Sequence, residues 1–129
     1  MKKLLAVLAT AVVLVLGTIG VDELSDLTQT RPDPVDPSRS SIVVFTVDTQ
    51  AYDGTVAEAA AAQWGVCAGT VGGETSASAP DPLADGHFQV TVTPAIGPRG
   101  EQRLRGCLND AAVDRVMSSF VSIANVPAS

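Results

Sequence analysis

The chain has 129 residues, and its lysines, Lys2 and Lys3, lie ahead of everything else of note. Beyond Val21 six arginines stand against all fourteen acidic residues, a net of −8. That balance excludes a non-specific nucleic-acid binder and disfavours an anionic membrane surface, because both demand cationic side chains.

Leu4 to Val21 is uncharged and is followed at once by Asp22, Glu23 and Asp26, the pattern of an export signal or an N-terminal hydrophobic anchor helix. As a helix it would span roughly 27 Å, close to the hydrocarbon thickness of a bilayer. The best cut site, Thr18 and Gly20 before Val21, is only passable, and no A-x-A occurs. Retention in the cell membrane with an extracytoplasmic C-terminal domain is therefore expected ahead of cleavage and secretion. No cysteine follows the run closely, which excludes a lipoprotein anchor.

Residues 22–40 read as a Pro-rich linker, in which Pro32, Pro34 and Pro37 alternate with charged and small polar residues and favour an extended stalk. A small domain is expected over 41–129. Ser41 to Thr49, SIVVFTVDT, is β-branched and aromatic and predicts a central strand. Thr55 and Glu58 form a T-x-x-E capping box, and Val56, Ala60, Trp64, Cys67 and Val71 follow at helical spacing. Gly69 marks the expected end of that helix.

Between Gly72 and Gly86 the composition predicts a loop with at most a short edge strand. His87 to Pro94 alternates Phe88, Val90 and Val92 with Gln89, Thr91 and Thr93, as in a strand with one buried and one wet face. After the break at Gly97-Pro98-Arg99-Gly100 a second helix is expected from about Glu101, with Leu104, Cys107, Leu108 and Ala111 inward and Arg103, Arg105 and Asp110 outward. Ser119 to Val126 alternates like a closing strand, against a continued helix through Met117. The order strand, helix, weak strand, strand, helix, strand is that of a ferredoxin-like α+β two-layer sandwich, βαββαβ.

Cys67 and Cys107 are the only cysteines. In an oxidising compartment they are most simply a structural disulfide, against free or partner-linked thiols or metal and redox chemistry. The expected topology brings the end of the first helix beside the second, where the two could meet. Asp48, Asp53 and Glu58 flank a turn but lack the spacing of a calcium loop, so capping and solvation are the simpler roles. His87, the sole histidine, has no serine elbow or zinc motif around it and reads as a polar strand-edge residue. Arg99, Arg103 and Arg105 crowd the start of the second helix, either as a solvated face or as a surface for an anion or acidic partner.

The blocks QWGVCAGTV (Gln63–Val71) and LRGCLNDAAVDRV (Leu104–Val116) resemble uncharacterised small exported and membrane-anchored proteins of high-GC Gram-positive bacteria. The resemblance implies export and pairing of Cys67 with Cys107, and it brings no substrate, cofactor or catalytic residue. The expectation is a non-enzymatic extracytoplasmic module, held to the membrane through residues 4–21, that binds another envelope component. The alternative is an inhibitor- or propeptide-like accessory of a secreted enzyme.

Overall fold

The computed structural model describes residues 32–50 and 52–129. The anchor over 4–21 and most of the linker lie outside them. Among the described residues no helix is long and apolar enough to cross a membrane.

The first strand, β1, runs Arg39–Asp48 and has antiparallel neighbours on both sides: β4, His87–Thr93, and β6, Val116–Pro127. Its RSSIVVFTVD sequence suits that central place, since Val43 and Phe45 point to one face beside Ser41 while Ile42 and Val44 point to the other. The expected weak second strand is reduced to two-residue bridges, β2 (Ser76–Ala77) and β3 (Asp81–Pro82), both paired with β4. Pro80 and Pro82 supply no ladder N–H there, which is why no longer strand forms. A further short strand, β5 (Ala112–Val113), makes a hairpin with the start of β6. Among the described residues the sheet is thus antiparallel and six-stranded, in the order β2-β4-β1-β6-β5 with β3 also on β4.

Helix α1, Val56–Cys67, starts on the expected box: the Thr55 N–H donates to Glu58 Oε2 at 2.8 Å and the Glu58 N–H donates to Thr55 Oγ1 at 3.2 Å. It passes Gly69 as a 3₁₀ turn, Ala68–Val71, which ends where Gly72 and Gly73 take positive φ, 77° and 71°. Helix α2, Pro98–Asp110, begins three residues before the expected Glu101. Proline is well placed in a first turn, where a missing N–H costs nothing, so the Gly97-Pro98 break is the start of the helix itself.

Both helices cover the same face of the sheet. Val43, Phe45, Phe88, Val90 and Val92 meet Ala60, Trp64, Cys67, Leu104 and Leu108 in one buried cluster, and Phe45 stacks on Trp64 with ring centroids 6.0 Å apart. Each large side chain fully buried there contributes about 1.5–3 kcal/mol. Cys67 and Cys107 are disulfide-bonded with Cα atoms 5.6 Å apart, tying the last residue of α1 to α2. With a sequence separation of 40, the closed loop contributes about 4 kcal/mol by chain entropy.

The closing segment is a strand, and its phase changes midway. Val44 faces Ser122 while Phe45 faces Phe120, so Val121 is the extra residue of a β-bulge. Phe120 and Ile123 both pack against the core as a result, although strict alternation would put them on opposite faces.

Candidate functional site

Helix α2 opens with backbone N–H groups that its own N-cap, Gly97, does not satisfy through a side chain. Asp33 supplies the missing acceptors. The Arg99 N–H donates to Asp33 Oδ1 at 3.2 Å and the Gly100 N–H to Asp33 Oδ2 at 2.7 Å. Glycine is needed twice for this approach: a Cβ on Gly97 would overlap the Asp33 side chain, and one on Gly100 would lie 2.9 Å from Ile96 Cγ2 and from the Val71 carbonyl oxygen. The anion position at this helix start is therefore filled by a carboxylate from the Pro-rich segment, as the partial positive charge of a helix N-terminus favours.

The three arginines of the expected partner surface separate. The Arg103 Nε–H donates to the Thr70 carbonyl at 2.8 Å, which directs that side chain toward the 3₁₀ turn after α1. Arg105 points to the other flank, pairs with Glu101 at 2.6 Å and lies 4.4 Å from the centre of the Phe120 ring. Arg99 sits beside the Asp33 contact, half-buried. Between Pro34, Val71, Ile96 and Arg103 a cleft of about 70 Å³ remains, far below the roughly 300 Å³ at which small-molecule pockets begin.

The other sequence-derived residues fall into structural roles. Glu58 accepts from both the N–H and the hydroxyl of Thr55, and these bonds hold its carboxyl below the ordinary value. Asp36 is likewise lowered, by the hydroxyl and N–H of Ser38. Among the described residues no three His, Cys, Asp or Glu side chains group as metal ligands. His87 Nδ1 lies 3.2 Å from the carbonyl oxygens of Ala84 and Asp85, against the turn that precedes β4. Cys67 and Cys107 stand in the layer between helices and sheet.

Four buried polar side chains of the described residues, Ser40, Ser41, Gln63 and Ser118, were not singled out by sequence, and two of them are fully buried. Ser41, fully buried, accepts the Ile96 N–H at 2.8 Å and donates to Asn125 Oδ1 at 2.6 Å, linking β1, β6 and the loop before α2. Its signal was parity, since it alternates in phase with Val43 and Phe45. Gln63 is also fully buried; its Nε2 donates to the Ala111 carbonyl at 2.7 Å while Oε1 has no partner among the described residues. Its helical spacing from Ala59, Ala60 and Cys67 was the available sign.

The remaining surface of note is the sheet face turned away from the helices. Ile42 and Val44 of β1 stand there between Thr91 and Gln89 of β4 and Ala124 and Ser122 of β6, and Thr46 stands between His87 and Ser119. None is charged, and the β1 and β4 members are half-buried at most, without a covering layer among the described residues. Such a face can dock a flat, weakly polar surface. No protein-family model matches the chain, and no curated protein or solved structure does either.

Proposed function

We propose that the chain is a non-enzymatic extracytoplasmic module, tethered to a membrane through residues 4–21, that binds another envelope component. The observation that carries this reading is the one-sided sheet, helices on one face and an uncharged surface of Val44, Thr91 and Ala124 on the other. In a domain rich in acidic residues, an uncharged face avoids the desolvation cost that charged groups impose on an interface. The disulfide supports an oxidising compartment. The start of α2 is the weaker docking place, because Asp33 already occupies it. The architecture is read as ferredoxin-like, supported by β1 lying between β4 and β6, which take the places of the third and fourth strands of the βαββαβ order, with the β5 hairpin as an addition.

A photo-crosslinker placed at Thr91 of the full chain in intact cells should capture an envelope component, and one at the exposed Ala57 on α1 should not. Val44→Arg should abolish the capture while charge reversal at Arg105 leaves it. Equal capture from both positions would refute docking on this face, and free thiols at Cys67 and Cys107 in protein taken from cells would refute export.

A further inference from the structure

The tripeptide Pro-Asp-Pro occurs twice in the chain, each time followed by a branched aliphatic residue: Pro32-Asp33-Pro34-Val35 and Pro80-Asp81-Pro82-Leu83. Their surroundings are opposite. The first copy is seated, with both oxygens of Asp33 accepting backbone N–H groups at the start of α2. The second stands on the outer side of β4, where Asp81, Pro82 and Leu83 are exposed. Pairing with Gln89 and Phe88 holds that backbone in place, and the Asp81 carboxylate accepts no hydrogen bond among the described residues. The seat of the first copy is more than a helix end. Ile96 and Val71 form a buried apolar floor, and Gly97 and Gly100 lack the Cβ atoms that would fill the place of the carboxylate. Beside Pro34 and Val35 the cleft of about 70 Å³ stays open, so residues 32–35 fit the seat without filling it. Leucine, one methylene larger than valine, has room there.

We propose that the start of α2 is a recognition site for Pro-Asp-Pro-aliphatic segments, closed in cis by residues 32–35 and filled, once that clasp opens, by residues 80–83 of a second copy. Proline on both sides of the aspartate restricts the backbone to extended forms, so the carboxylate is presented at little further entropy cost. At the seat it meets two N–H groups and the partial positive charge of the helix start. Donor loop and seat are different surfaces of one chain, so the contact is heterologous and joins copies head to tail. The cis segment acts as a tethered competitor. Association of the wild type is reduced by the fraction of clasps that stay closed.

The test is sedimentation equilibrium of the full chain in density-matched neutral detergent over a range of concentrations. Asp33→Ala should associate about tenfold more tightly than the wild type, the ratio in which a cap of ordinary strength keeps the clasp closed. Adding Asp81→Ala should return association to the wild-type level or below it. Any association through residues 4–21 is common to all variants and cancels in the comparison. Asp33→Ala with Asp81→Ala has an open seat and no donor carboxylate, whereas the wild type has the donor and a closed seat. Mixed, they should form a one-to-one complex that neither forms with itself. A photo-crosslinker at Leu83 of Asp33→Ala should reach Ile96 to Arg103 of another, isotopically distinct copy. Asp33→Ala that associates no more than the wild type overturns the proposal. So does a gain in association that survives Asp81→Ala, or crosslinks from Leu83 that fall elsewhere.

Discussion

Replacing Ser41 by alanine removes one oxygen from a place that water does not reach. The Ser41 hydroxyl is the acceptor for the Ile96 N–H at 2.8 Å, and Ile96 is itself only 6% exposed. In Ser41→Ala that N–H keeps its desolvation cost and loses its partner, a penalty of about 1–3 kcal/mol for a buried donor. The second bond matters less, because Asn125 is exposed and its Oδ1 can turn to solvent. A loss of about 2 kcal/mol in a domain of this size corresponds to a fall in Tm of roughly 8–16 °C. Trp64, the single tryptophan, lies in the core and reports unfolding of this domain within the full chain held in neutral detergent. Asn125→Ala should cost well under half as much. In a double-mutant cycle the combined variant should be no less stable than Ser41→Ala alone by more than about 0.5 kcal/mol. If Ser41→Ala unfolds within about 0.5 kcal/mol of the wild type, the Ile96 N–H is not stranded and the reasoning fails.

Three other outcomes follow from the same bonds. Reduction, or paired Cys67→Ala and Cys107→Ala substitution, should lower stability by about 4 kcal/mol by Trp64 fluorescence; an unchanged transition would mean the closed loop is already ordered when the domain unfolds. Asp33→Ala should cost about 0.5–2 kcal/mol and speed hydrogen exchange of the Arg99 and Gly100 amides, whereas amides in the middle of α2 should exchange at nearly their former rate. Glu58 is held below its ordinary 4.5 by the N–H and then the hydroxyl of Thr55, so its stabilising share is complete above that pH and disappears as the pH falls through the lowered value. Glu58→Gln should therefore flatten the acid side of the Tm-versus-pH curve below about 4.5; identical curves would show that the cap does not depend on ionisation.

Local signals were readable in the sequence wherever the cause of an element lies within it. The capping box of α1 and the alternation of Phe88, Val90 and Val92 are short-range patterns, and the structure follows both. The start of α2 lies three residues ahead of the Glu101 that the sequence predicts: Pro98 can equally break a helix or begin one, and the cap that decides for the start comes from Asp33, 66 positions from Arg99. The hairpin between β5 and β6 was hidden for a different reason: Asp114 and Arg115 both take positive φ, 48° and 69°, in a two-residue turn that ordinarily advertises itself with glycine or asparagine. The bulge at Val121 then spoiled the parity of the closing strand, so Phe120 and Ile123 could not be assigned to one face from alternation. The open face was legible only for β4. Its continuation across Val44 and Ala124 depends on pairing register, and register is a property of the assembled sheet. The arginines show the converse, neighbours in sequence that the helix turns to opposite flanks.

The Asp33 clasp also has a mechanical side. A pull on the chain ahead of Pro32 meets two elements in series, first the pair of bonds from Asp33 to the start of α2 and then β1. The clasp is small and yields first. Its release lengthens the lead into the domain by the residues from Asp33 to Ser38 while β1 stays in place, held along both sides by β4 and β6. At a few ångströms per residue, that slack is at most about 20 Å of travel, less the distance the segment already spans, and it is taken up before any strand is sheared.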